Sequence, residues 1–132
     1  MKLPPNIPVY GDTTYRGPCP TESAEQVTLM NVLRKTPLGR IAIHVKNEGK
    51  RNTRQATWDK AQGMVKGAPD IWIAGSPTCL VELKRKDHTQ SNISDDQVKF
   101  LKAAQDNGAW VCIALGWEAA YEAVKTWSKK TS

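Results

Sequence analysis

Cysteine is scarce in this 132-residue chain: Cys19, Cys79 and Cys112 are odd in number and far apart, with no Cys-x-x-Cys pair. That excludes a disulfide framework and disfavours folds built on a structural zinc. Long apolar runs are also missing, none approaching the about 20 residues of a membrane helix. The first residues, Met1-Lys2-Leu3-Pro4-Pro5, do not read as a signal peptide. A cytoplasmic protein with no membrane partner is expected. There is no internal repeat, and the length suits one domain with one core.

Acidic residues are the minority. Nineteen Lys and Arg stand against thirteen Asp and Glu, giving +6 and a pI near 9.3, which suits a polyanionic partner. The excess is concentrated: between Arg40 and Lys66 lie Arg40, Lys46, Lys50, Arg51, Arg54, Lys60 and Lys66 against Glu48 and Asp59, a net +5. A basic run is usually a solvated face. Its position, immediately before the acids described next, favours a binding surface.

Asp70 follows Gly67-Ala68-Pro69, and eleven residues separate it from Glu82-Leu83-Lys84. It opens the apolar run Ile71-Trp72-Ile73, and the Gly75-Ser76-Pro77 turn returns the chain through Thr78 to Leu83, so the two acids fall on adjacent strands of a hairpin. Side chains alternate along a strand, which puts Glu82 and Lys84 on one face and Val81 and Leu83 on the other. A Glu-x-Lys pair alone is usually a solvated face, and Pro-Asp alone is usually a turn. Together they bring two carboxylates and an ammonium to one place, and close carboxylates call for a hard cation such as Mg²⁺, for which Mn²⁺ can substitute.

The remaining pattern alternates helix and strand. Residues 1–20 hold five prolines and no period, and are expected to form an extended arm ahead of a domain at 21–132. Thr21 or Ser23 can cap a first helix running to about Lys35, with Ser23 and Gln26 at capping-box spacing. Arg40 to Lys46 alternates Ile41, Ile43 and Val45 against Ala42, His44 and Lys46, the pattern of a half-buried strand. A short helix is expected from Thr53 to about Gln62. Ser94 and Gln97 form a second capping-box pair ahead of a helix that stops near Gly108. Ala109 to Leu115 reads as a buried strand, and Glu118 to about Ser128 as a last helix. The order α-β-(α)-β-β-α-β-α predicts an α/β fold, a mixed central sheet flanked by helices.

These residues resemble the signature of the PD-(D/E)xK nuclease superfamily, and their context is similar to the stand-alone VRR-NUC domains of phages and prophages. The likeness runs from about Thr21 to Trp127. It takes in a Glu-bearing first helix, Asn47-Glu48-Gly49-Lys50-Arg51, Gly63 and Gly67 before Pro69-Asp70, Glu82-Leu83-Lys84, Ser94-x-x-Gln97 and Gly116-Trp117-Glu118-Ala119-Ala120. Where that family has a basic pair before Gly-x-Pro-Asp, this chain has Val65-Lys66. The resemblance implies a restriction-endonuclease-like core and a Mg²⁺-dependent endodeoxyribonuclease acting on branched DNA such as four-way junctions. It makes Asp70, Glu82 and the main-chain carbonyl of Leu83 the metal ligands. It also implies a first-helix glutamate near the centre, Glu22 in preference to Glu25, and a role there for Gln97.

Lys84 is then placed to orient the attacking water or offset transition-state charge. Lys46, Lys50, Arg51, Arg54, Lys60, Lys66 and Arg85 are the expected DNA contacts. His44 and His88 have no partner at metal-ligand spacing and are read as ordinary or DNA-contacting residues. Two other readings remain: a restriction-like or nicking enzyme on ordinary duplex, and a basic DNA-binding accessory protein without catalysis. A homodimer is expected, since paired incisions need two centres and one chain has one set. Its expected contacts are Tyr10 and Tyr15 of the arm and Trp110, Trp117 or Trp127.

Overall fold

A computed structural model describes residues 1–45 and 52–131. Five strands form one mixed sheet in the order β1-β5-β4-β3-β2: β1 Val9–Tyr10, β2 Ala42–His44, β3 Ile71–Ile73, β4 Cys79–Lys84 and β5 Trp110–Leu115. Strands β2, β3 and β4 run antiparallel as a meander, whereas β4, β5 and β1 are parallel. A parallel step needs a crossover. Helix α3, Asp95–Asp106, supplies it between β4 and β5. The other helices are α1 Glu22–Arg34, α2 Thr53–Ala61 and α4 Trp117–Thr131. None among the described residues is long and apolar enough to cross a membrane.

Alternation along the two central strands divides the core. Cys79, Val81 and Leu83 of β4 and Cys112 and Ala114 of β5 face Leu29 and Leu33 of α1 and Val124 and Trp127 of α4. Leu80, Val111, Ile113 and Leu115 point the other way, to Leu101 of α3 and to Ile7. Full burial of each such leucine or isoleucine contributes about 1.5–3 kcal/mol. All six residues of β4 are buried, so Glu82 and Lys84 lie inside the protein. Because Leu80 shares their face, both point to the α3 side.

Several expectations are corrected. Of the two caps expected for α1, Thr21 serves, its side chain accepting the Ala24 amide at 3.2 Å, whereas Ser23 lies within the helix and forms no capping box with Gln26. The Pro-rich residues 1–20 are extended but do not stand apart from the domain. They carry β1, a strand the sequence pattern did not show, the Ile113 amide donates to the Pro8 carbonyl at 2.9 Å, and Ile7 is buried. Only two residues pair, too few for a period to register.

In β2 the expected faces are reversed: Ala42 is buried, while Ile41 and Ile43 are exposed. Ala42 pairs with Ile73, whose side chain lies in the α1 and α4 core, and an edge strand leaves its other face uncovered. Trp127, expected at a chain–chain contact, is core. It is 2% exposed, and its indole N–H donates to the Pro77 carbonyl at 2.8 Å. Trp110 and Trp117 pack half-buried against the same core, and Tyr10 meets Trp110 with ring centroids 5.9 Å apart. Tyr15 is turned inward on the arm, its hydroxyl donating to the Pro18 carbonyl at 2.5 Å and its ring under Lys86.

Candidate active site

Hairpin register sets the site. Ile71 pairs with Val81, so Asp70, one residue earlier, comes opposite Glu82 at the open end of the β3–β4 hairpin. The main chain there is pinned from the other side: the Val45 amide donates to the Asp70 carbonyl at 2.7 Å, and His44 Nδ1 lies 3.0 Å from the same oxygen. Asp70 Oδ2 accepts the Leu83 amide at 2.9 Å. In a strand the N–H and C=O of one residue point to the same edge, so the Leu83 carbonyl also leaves β4 on the Asp70 side.

Gln97 closes the group from α3. Its side-chain amide donates to Glu82 Oε1 at 3.2 Å, and its oxygen accepts Lys84 Nζ at 3.4 Å and the Ser94 amide at 2.8 Å. The last contact completes the expected capping box. One glutamine therefore caps α3 and touches both charged residues of β4. Lys84 Nζ is 3.5 Å from Glu82 Oε1, with both side chains buried.

Among the described residues, Glu82 Oε2 has no hydrogen-bond partner. Burial raises the Glu82 pKa well above the ordinary carboxylate value, the Asp70 carboxylate adds to the rise, and Lys84 opposes it. Two ionised carboxylates repel each other; a shared proton or a cation relieves that repulsion, and a hard cation takes oxygen ligands of this kind. No cluster of three His, Cys, Asp or Glu side chains suited to a metal occurs among the described residues. Asp70, Glu82 and the Leu83 carbonyl make a set of two side chains and one main-chain oxygen. It fits a cation that retains several waters.

Gly67 explains the glycine of Gly-x-Pro-Asp. Its φ is +87°, and a Cβ there would lie 2.5 Å from the Asp96 carbonyl carbon and 2.8 Å from the Gln97 amide. Only glycine lets the loop before Asp70 rest on the first turn of α3, the turn that supplies Gln97.

The two first-helix acids separate. Glu25 is buried, and its carboxylate accepts the Trp117 amide, capping α4. Glu22 Oε2 accepts the Ser91 hydroxyl at 2.8 Å, and Ser91 Oγ accepts the Arg85 amide at 2.9 Å. Glu22 is thus joined to the chain just past Lys84. Ser91 went unnoticed in the sequence, because a serine in a polar loop carries no signal of such a link. Nearby, Asp87 accepts the Thr89 hydroxyl, the Gly17 amide and the Gln90 side chain, which hold its carboxyl well below the usual range.

Of the expected DNA contacts, Arg54 and Lys60 are exposed on α2, and Lys66 is exposed with Nζ 3.5 Å from Asp96 Oδ2. The Arg85 guanidinium also donates to the Cys19 and Pro20 carbonyls at 2.7 and 3.1 Å, so it clamps the arm. Lys46, Lys50 and Arg51 lie outside the described residues. His88 is buried, with Nε2 3.1 Å from the Thr13 carbonyl.

The chain is similar to a solved structure described as a VRR_NUC domain protein, with a TM-score of 0.71 and 20% identity over 87% of this chain and 92% of that one. The fold is that of a VRR-NUC domain protein. No protein-family model matches the sequence, and no curated protein gives a significant match. Within the VRR-NUC fold, the open end of the β3–β4 hairpin is where this chain gathers its buried charge.

Proposed function

We propose that the protein is a divalent-cation-dependent DNA endonuclease, selective for branched DNA, with Asp70 and Glu82 as the cation-holding carboxylates. The observation that supports it most is the meeting of the Asp70 and Glu82 carboxylates beside the buried Lys84 and Gln97. The chemistry a Mg²⁺ or Mn²⁺ ion would supply there is neutralisation of phosphoryl charge and a more acidic water.

The chain's residues do the rest. Asp70 and Glu82, with the Leu83 carbonyl, hold the ion. Lys84, kept in place by Glu82 and Gln97, orients a water or offsets charge building on the phosphate. Gln97 fixes the Glu82 and Lys84 side chains from a helix whose own cap depends on the same oxygen. Exposed Arg54, Lys60 and Lys66, with Lys46, Lys50 and Arg51 of the same sequence run, meet phosphates. Glu22 acts through Ser91 on the strand end that carries Lys84.

A homodimer is part of the proposal, since one chain has one such set of residues and paired incisions require two. Light scattering after size exclusion gives the mass, alone and on a four-way junction. The activity is tested by incubating labelled linear, flap, splayed and four-way DNA with the protein in Mg²⁺, Mn²⁺ or chelator. Cation-dependent cutting of branched forms is expected. Equal cutting of plain duplex would favour a restriction-like or nicking enzyme, and binding without cutting would leave an accessory protein.

A further inference from the structure

Exposed apolar surface collects where the positive charge does. Among the described residues, the large exposed hydrophobics include Ile43, Trp58 and Val65 at 57%, 62% and 53%, and all three belong to the segment from Arg40 to Lys66 with its net +5. Ile43, Val45, Met64, Val65, Trp72 and Phe100 line an open groove of about 400 Å³. That volume lies in the range of roughly 300–1,000 Å³ typical of small-ligand sites.

The groove adjoins the candidate active site. Val45 is bonded to the Asp70 carbonyl, and the Trp72 indole donates to the Pro69 carbonyl at 3.0 Å. Trp72 is two residues on from Asp70 and so shares its face of the sheet, the face of Glu82 and Lys84. Its ring meets Phe100 edge to face, centroids 5.9 Å apart, giving the groove an aromatic wall.

An occupant must combine negative charge with flat apolar surface. A second copy of the chain is the poorer candidate, since a two-fold contact sets a patch against itself and would bring like charges together. A nucleic-acid strand with a base out of the stack offers phosphates to the lysines and arginines and a π-face to the groove. We propose that this groove receives an unpaired base of the DNA beside the phosphate to be cut, so that local strand opening is the feature selected. The inference rests on the nuclease reading of Asp70 and Glu82 and deepens it by naming what in a branched substrate is recognised.

The test is equilibrium binding in chelator, where no cutting occurs, to a labelled duplex and to the same duplex with a short unpaired bulge containing 2-aminopurine. The wild-type protein should bind the bulged DNA on the order of 10-fold more tightly, as expected for one stacked base, and should change the 2-aminopurine emission. The double variant Ile43→Thr/Val65→Ser should bring the affinity ratio toward one and abolish the emission change. Both positions are more than half exposed. Thermal unfolding verifies that the variant is folded, and Val65→Ser alone serves if the edge strand is disturbed.

Equal wild-type affinity for the two DNAs would overturn the proposal, as would a variant that keeps the ratio. A variant that changes the protein's mass in solution while keeping the ratio would make the groove a chain–chain contact and overturn it too. Failure of the nuclease reading looks different: no DNA is cut in Mg²⁺ or Mn²⁺, while the wild-type binding ratio and its loss in the variant persist.

Discussion

Leu83 donates its backbone N–H to Asp70 Oδ2 at 2.9 Å, and that bond ties the first acid to the strand that carries the second. Leu83 stands between Glu82 and Lys84, so the bond also fixes how far Asp70 lies from both. Asp70→Asn retains an oxygen that can accept it, whereas Asp70→Ala orphans the amide at a cost of about 1–3 kcal/mol. Asp70→Asn, Glu82→Ala and Lys84→Ala should each lower cleavage by at least ~100-fold, since each removes a ligand or charge needed mainly in the transition state. DNA binding in chelator should survive. Single-turnover cutting rates beside binding isotherms measure both.

The raised pKa of Glu82 gives stability a pH dependence of definite sign. Its folded value lies above its unfolded value, so between the two the folded state holds the extra proton, and stability falls as pH rises through that window. In cation-free buffer, the melting temperature of Glu82→Gln relative to wild type should therefore increase from acid to neutral pH, by on the order of a few °C. Adding Mg²⁺ at neutral pH should raise the wild-type midpoint and do little for the variant. A difference between the proteins that stays flat with pH would mean that Glu82 titrates as an ordinary carboxylate.

Gly67→Ala should be severe despite adding one methyl group. A left-handed backbone costs an alanine about 1–2 kcal/mol, and the Cβ would meet main-chain atoms of Asp96 and Gln97 that cannot swing aside. The clash falls on the turn that delivers Gln97 to Glu82 and Lys84. A melting point lowered by several °C together with a loss of cleavage is the expected result. Gly63→Ala is the comparison: its φ is also positive, at +102°, but among the described residues nothing lies within 4 Å of the added Cβ. It should show the backbone cost alone.

The acids and their partners were legible because strand chemistry is local. A turn of Gly75-Ser76-Pro77 and an alternating Glu-x-Lys give the hairpin, the shared face and the meeting of Asp70 with Glu82 without any long-range information. Gln97 was legible twice over, as a cap and as part of a motif, and the structure shows one side chain in both places. What stayed hidden depends on packing between distant segments. The inward face of β2 is decided by Ile73 across the sheet and not by its own alternation of Ile41, Ile43 and Val45. The arm became a strand because β5 offered it a free edge. Arg85 looked like one more basic residue beside Lys84, and only the return of residues 19 and 20 to its guanidinium gives it a partner.

Salt dependence separates phosphate contacts from a solvated basic surface. Arg54, Lys60 and Lys66 are exposed, and among the described residues none is held in a buried ion pair. If each meets a phosphate, replacing all three with glutamine should flatten the slope of log affinity against log salt by about two to three units. Such contacts position the DNA without reading its sequence, so the loss should be similar for different sequences. An unchanged slope would return these residues to the solvent.

Glu22 and Glu25 stand one turn apart on α1, and their bonds predict opposite outcomes on substitution. Glu25→Ala removes the acceptor of the Trp117 amide at the start of α4, and loss of a cap typically costs about 1 kcal/mol. Its effect should appear in thermal unfolding, with cleavage close to wild type at temperatures where the variant is folded. Glu22→Gln keeps an oxygen for the Ser91 hydroxyl while removing the charge, so its melting point should move little. If the charge of Glu22 serves the site past Lys84, cleavage should fall by roughly 10-fold or more, a loss of about 1.4 kcal/mol in transition-state stabilisation. Ser91→Ala then separates charge from linkage. It cuts the bridge from Glu22 to the Arg85 amide but leaves the carboxylate, so an activity loss matching that of Glu22→Gln would mean that Glu22 works by positioning the strand end.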